Sequence, residues 1–122
     1  MKIISSKMHG IIDYLFSAFV LAAPTIFQME STLCTITYAI GATHLILTAL
    51  TDFEVGIFKL IPFRIHGIIE IVVAIGLAGL AIWFNNNSNG LGFYFYITLS
   101  VLVLLVFILT DFTTVPRNTN KA

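Results

Sequence analysis

Four runs of about twenty apolar residues, at positions 8–27, 33–52, 65–84 and 92–112, leave this chain few ways to fold. As a helix, each run is ~30 Å long, which matches the hydrocarbon thickness of a bilayer. A soluble domain needs polar residues to cover its helices, and here they are missing. Only 10% of the 122 residues are charged and 58% are hydrophobic, against about 25% charged in ordinary soluble domains. The mean hydropathy is +1.00. The chain therefore reads as an all-α, polytopic membrane protein with four transmembrane helices. Lys2 and Lys7 ahead of an apolar stretch ending in Ala22-Ala23 have the look of a secretory leader. Asp13 interrupts that stretch, however, and Pro24 directly follows the small-residue cleavage site, so the first run is retained as a helix.

The few charges set an orientation. Lys2 and Lys7 precede helix 1, Lys59 and Arg64 lie between helices 2 and 3, and Arg117 and Lys121 follow helix 4. The connections at 28–32 and 85–90 contain no lysine or arginine, and Glu30 is their one charge. The positive-inside rule then puts both termini in the cytoplasm and the protein in the inner (cytoplasmic) membrane. Ser5 or Ser6 is the expected N-cap of helix 1. Residues 53–64 read as a connection in the inner interface, with Pro62 at the start of helix 3. Trp83, Tyr94 and Tyr96 gather at the opposite interface, where amphipathic rings are favoured. The tail from 113 to 122 is polar.

The chain also repeats itself. Met8-His9-Gly10-Ile11-Ile12-Asp13-Tyr14 returns as Ile65-His66-Gly67-Ile68-Ile69-Glu70-Ile71, and Leu50-Thr51-Asp52-Phe53 returns as Leu109-Thr110-Asp111-Phe112. This reads as a duplicated two-helix unit, with residues 1–56 and 57–122 as the two copies. Two spans per copy require both copies to run the same way across the membrane. They form a parallel repeat about an axis along the membrane normal. Helix contacts in lipid need small residues, so Ala18 and Ala22 of helix 1 are expected to meet Ala74 and Ala78 of helix 3. Thr37, Gly41, His44, Thr48 and Thr51 step along one face of helix 2 and should point inward. Helix 4, nearly featureless between Ser100 and Thr110, should be the most lipid-exposed.

This topology gathers His9, Asp13, His66 and Glu70, in the first turns of outgoing helices, with Asp52 and Asp111, in the last turns of returning ones. Ionisable groups inside a membrane mark a functional site by default. Each histidine stands four residues from its own acid, one turn away on the same face. The plainer reading makes each pair a helix-local hydrogen bond near wet headgroups, and this reading is favoured. The alternative is a shared site whose two imidazoles and two carboxylates have the ligand types of a divalent metal such as Zn²⁺. His44 lies eight residues before Asp52, hence ~12 Å deeper. It is either a core residue bonded to a neighbour such as Thr48 or a proton relay. Alignment of the Thr-Asp-Phe echoes puts Val103 opposite it. Cys34 is alone, so no cysteine-based metal motif or intramolecular disulfide is expected.

His9, Gly10, Asp13 and Tyr14, then Pro24, then Thr51, Asp52, Phe53, Glu54 and Gly56 together resemble the bacterial SPW-repeat family of small membrane proteins. The resemblance covers nearly the whole chain and implies a duplicated helix-pair architecture. It brings no catalytic residues, and Ala23-Pro24-Thr25 and Leu80-Ala81-Ile82 stand where Ser-Pro-Trp would be. Nothing in the chain suggests a nucleophile, phosphate loop or nucleotide fingerprint, so an enzyme is disfavoured. No cofactor follows from the residues. The leading expectation is a non-enzymatic helix-packing component of a membrane assembly. The alternative is a small oligomeric transporter or ion- or proton-handling protein using the His/carboxylate belt. The expected partners are the lipid bilayer and another copy or another membrane protein, with no nucleic acid.

Overall fold

Polar caps decide where the helices begin. In the computed structural model, which describes residues 2–113, α1 spans Ser6–Ile26, α2 Ser31–Leu50, α3 Phe63–Asn86 and α4 Gly90–Leu109. Each starts two residues before its apolar run: in α1, α2 and α4 a polar capping side chain stands ahead of it, while α3 starts behind Pro62 with no side-chain cap. Ser5 caps α1 by accepting from the Met8 amide. Glu30 caps α2 by accepting from Thr32 and Leu33 at 2.9 and 2.7 Å. Asn89 caps α4 through Gly92 at 2.9 Å. Ser6, the other expected cap of α1, instead donates its hydroxyl to Glu54 at 2.7 Å. All four helices are long and apolar enough to cross a membrane, so the chain is built as a multi-pass membrane protein.

At the other ends, α2 and α4 stop short of the aspartates that were expected to close them. Beyond Leu50 the chain is extended: β1, Thr51–Asp52, runs parallel to β2, Ile61–Pro62. Beyond Leu109, Thr110 forms a matching parallel bridge with Ile4. The Ile4 amide donates to Leu109 and the Asp111 amide donates to Ile4, each at 2.9 Å. Each bridge ties the end of one helix pair to the segment that enters the other. Extended backbone alternates its side chains between two faces. Thr51 and Phe53 are accordingly buried while Asp52 between them is exposed.

The helices pack chiefly in sequential pairs, α1 on α2 and α3 on α4. The apolar core lies in the half away from these bridges, around Val20, Leu33, Leu77, Phe84, Tyr96 and Leu99. Thr37, Gly41, His44, Thr48 and Thr51 of the helix 2 stripe are all buried, as their spacing predicted. Three other expectations are corrected. Ala18 and Ala22 are exposed on the outside of α1 and cannot be the contact with Ala74 and Ala78. The close approach comes instead at Gly41, where an added Cβ would lie 2.9 Å from Leu21 and 3.1 Å from Val20. Tyr96 is fully buried against Thr37, with 2.6 Å between their hydroxyls, so Trp83 and Tyr94 are left as the exposed rings. α2 is less buried than α4, because α4 lies along α3 for much of its length.

This packing makes a prediction opposite to the one the alanine spacing suggested. Gly41→Leu should overpack the α1–α2 contact and destabilise the fold by about 1–3 kcal/mol. Ala22→Leu, on the lipid-facing side, should change stability by no more than about 0.5 kcal/mol. Unfolding of both variants in mild detergent checks the contrast.

Candidate functional site

Two helix starts and two helix ends meet where the paired segments cross. His9 and Asp13 sit on the inward face of α1, with His66 and Glu70 on that of α3, and all four are buried. His9 Nε2 is 3.3 Å from Asp13 Oδ2 on its own helix and 3.0 Å from Glu70 Oε1 on the other pair. His66 Nε2 is 3.5 Å from its own Glu70 Oε1 and 3.0 Å from Asp13 Oδ2. The contacts between the pairs are therefore the shorter ones. The favoured expectation of two helix-local pairs is corrected: the four residues form one quartet.

The remaining nitrogen of each ring is held from behind. His9 Nδ1 lies 2.7 Å from Thr110 Oγ1, and His66 Nδ1 lies 2.8 Å from Thr51 Oγ1. Both threonine hydroxyls donate to the carbonyl four residues back, Val106 for Thr110 and Leu47 for Thr51. A hydroxyl has one hydrogen, and a carbonyl has none to give. Each threonine oxygen must therefore accept from the imidazole Nδ1–H. Both rings are pinned with Nδ1–H pointing outward and Nε2 facing the quartet.

Three phenylalanines close this end. The Phe63 and Phe112 rings stand edge-on to His9 at centroid distances of 5.2 and 5.7 Å, and Phe53 lies 6.0 Å from His66. The glycine after each histidine makes room for them. A Cβ at Gly10 would lie 2.7 Å from the Phe53 ring, and one at Gly67 would lie 2.7 Å from Phe112. On the opposite side a crevice of about 320 Å³ runs between α1 and α4 and reaches Asp13, His44 and Glu70 past Phe16 and Val103.

Of the seven residues singled out from the sequence, the quartet brings four together, and His44 borders it. His44 Nε2 is 3.5 Å from Asp13 Oδ1, and its ring lies 6.5 Å from that of His66. His44 is therefore level with Asp13, since antiparallel α1 and α2 bring the fourteenth residue of one opposite the eighth of the other. The Thr48 hydroxyl does not hold the ring: it donates to the backbone carbonyl of His44. Asp52 is exposed, and Asp111 accepts from Thr113 at 2.9 Å and stands outside the quartet. The threonines next to them do the work expected of these aspartates. The doubled Thr-Asp-Phe carried that signal: once the helix ends, strand alternation turns Thr and Phe inward and Asp outward.

Thr51→Val and Thr110→Val keep the side-chain shape but strand a buried imidazole N–H. Each should cost about 1–3 kcal/mol, the penalty for an unmade buried hydrogen bond. Serine at either position should restore most of the loss, and detergent unfolding of the valine and serine variants measures it.

A scan of protein-family models and searches of curated proteins and of solved structures found no match to this chain, so the reading of the site rests on its own geometry.

Proposed function

We propose that this is a small ion-handling protein of the cytoplasmic membrane, whose two helix pairs exist to assemble one buried polar site between them. The observation that carries the reading is the exchange of partners. His9 reaches Glu70 and His66 reaches Asp13, each at 3.0 Å, across the seam between the pairs. A pair of caps that only fixed helix ends would have no need to cross. The two copies are related by a pseudo-twofold along the membrane normal, an arrangement consistent with the resemblance to SPW-repeat proteins. Lys2, Lys7, Lys59 and Arg64 flank the end that carries the site. Arg117 and Lys121, which complete the sequence argument, lie outside the described residues. By the positive-inside rule this end and both termini face the cytoplasm.

A packing role has its own support and is compatible with the first. Ala18 and Ala22 point out of the bundle at small-xxx-small spacing, the surface on which a second transmembrane helix packs closely. That helix would belong to another copy of the chain or to another membrane protein.

Two measurements test the proposal. In a double-mutant cycle, His9→Ala and Glu70→Ala should deviate from additivity by more than about 0.5 kcal/mol, the limit for independent sites. Additive losses would dissolve the shared site. For the topology, Cys34 is replaced and single cysteines are introduced. An impermeant thiol reagent should label Asn87→Cys in intact cells, and Lys59→Cys only after permeabilisation. The reverse pattern would invert the assignment.

A further inference from the structure

We propose that the quartet binds one divalent transition-metal ion of the zinc class, through His9 Nε2, His66 Nε2, Asp13 Oδ2 and Glu70 Oε1. This rests on the shared-site reading above and goes beyond it in naming the ion.

The first argument is distance. The four atoms alternate nitrogen, oxygen, nitrogen, oxygen, with separations around the ring of 3.3, 3.0, 3.5 and 3.0 Å. No two of the four lie more than 4.8 Å apart. Tetrahedral zinc with bonds of about 2.0–2.1 Å to nitrogen and oxygen needs its ligand atoms about 3.3–3.4 Å apart. The four neighbouring separations are already those of that coordination shell, and binding would draw in the wider spacing of up to 4.8 Å across the quartet.

The second argument is orientation. A metal-bound histidine usually gives its other ring N–H to an outer partner, which fixes the tautomer and aims the lone pair. Thr51 and Thr110 do this to both rings, and their own protons are committed to Leu47 and Val106. Held in this way, each ring turns Nε2 toward the carboxylates, where it either donates a proton, as in the His9–Glu70 hydrogen bond at 3.0 Å, or gives its lone pair to a cation that takes the proton's place.

The third argument is what hydrogen bonding leaves undone. Asp13 Oδ2, His66 Nε2 and Glu70 Oε2 are buried and lack a hydrogen-bonding partner. His66 Nε2 and Asp13 Oδ2 approach to 3.0 Å without the alignment of a hydrogen bond. Of the four converging atoms, His9 Nε2 and Glu70 Oε1 share a hydrogen bond at 3.0 Å, while His66 Nε2 and Asp13 Oδ2 converge without one, as co-ligands do. Two carboxylates bring two negative charges into an apolar bundle, and one divalent ion cancels both. His44 Nε2 stands 3.5 Å from Asp13 Oδ1, beside the second oxygen of that ligand and without a hydrogen bond to it.

The donor set also chooses among ions. Two imidazole nitrogens and two oxygens in a small shell suit zinc and its neighbours. Calcium requires six to eight oxygens and magnesium a near-octahedral oxygen shell. The floor of phenylalanines blocks the cytoplasmic end, so the ion's way in is the α1–α4 crevice, where Asp13 and Glu70 are reached.

The test uses the full chain purified in mild detergent, stripped with a chelator and re-equilibrated with Zn²⁺. Elemental analysis after gel filtration should find one zinc per chain, not displaced by excess Ca²⁺ or Mg²⁺. Co²⁺ in its place should give the strong visible absorption of a four-coordinate centre. The combined Thr51→Val and Thr110→Val variant should bind zinc about 10–100-fold more weakly, the usual effect of losing outer partners. His66→Gln should lose the cobalt spectrum, and Asp13→Asn guards against a single variant that misfolds. Folded wild-type protein without stoichiometric zinc would overturn the proposal, as would zinc binding untouched in His66→Gln and Asp13→Asn. If the His9–Glu70 cycle still shows coupling in metal-free protein, the shared site survives and the metal alone falls. If that cycle is additive as well, both fall.

Discussion

Two carboxylates buried in an apolar bundle must be neutralised within arm's reach, and this requirement shapes most of the molecule. Asp13 is 3% exposed and Glu70 2%. Among the described residues neither forms an ion pair with a lysine or arginine, and the histidines are their partners. The histidines in turn need their outer nitrogens satisfied, which brings in Thr51 and Thr110. Those threonines reach the rings only because α2 and α4 give way to extended backbone after Leu50 and Leu109. Each extended segment then needs a partner for its own peptide groups, and finds it at Ile61 or Ile4. Caps, bridges and glycines at one end of the bundle thus follow from a single electrostatic constraint.

The same constraint explains why the two helix pairs are joined as they are. Within a pair, α1 on α2 and α3 on α4, side chains interlock along the length of the helices. Between pairs there is less of this, and lipid offers no hydrophobic reward for bringing them together, since acyl chains are as apolar as leucine. Polar contacts take over at the seam: the quartet at one level, and the Thr37 and Tyr96 hydroxyls 2.6 Å apart farther along. Such bonds are directional, so they fix one register where apolar contact would allow sliding. They are also hostages to each other. Removing one partner leaves the rest buried and unpaired, which costs more than the bond contributed.

How much of this the sequence carried depends on which physical rule was at work. Helices, their number and their order follow from run length and hydropathy, and each start lies just two residues ahead of its run, behind a polar cap in α1, α2 and α4. The inward stripe of α2 followed from helical spacing of small and polar residues. The stripe Ala18 and Ala22 obeyed the same spacing and faced outward, because small residues are as compatible with lipid as with a neighbour. Spacing gives a face and leaves open which face is inside. The site residues were legible as a set through the doubled motif, while their pairing was not. Proximity along a helix, four residues apart, argued for local partners. The actual choice depended on the distance between α1 and α3, which no local rule contains. Asp52 and Asp111 drew attention by charge, and strand alternation handed their place to Thr51 and Thr110.

One departure from symmetry gives the site a side. The histidine, the acid, the threonine and the Phe53 or Phe112 ring each occur twice, in matching sequence positions, while Phe63 is matched by Ser6. His44 occurs once, and Val103 of α4 stands where its counterpart would be. Valine is smaller than histidine and has nothing to offer a carboxylate. On that side, between α1 and α4, the crevice opens toward Asp13 and Glu70. Across the same crevice from Val103, the His44 imidazole lies against Phe16 at 4.9 Å, with Nε2 3.5 Å from Asp13 Oδ1. The two carboxylates therefore differ in a way the motif alone conceals. Asp13 is approached by three imidazoles, Glu70 by two. A perfectly twofold site would hold its occupant equally from both halves and offer two equivalent ways out. With histidine on one side and valine on the other, Asp13 meets one imidazole more than Glu70, while each acid keeps one buried oxygen without a hydrogen-bonding partner. The crevice therefore has His44 on one wall and Val103 on the other, and the way to Asp13 and Glu70 is polar on one side and apolar on the other.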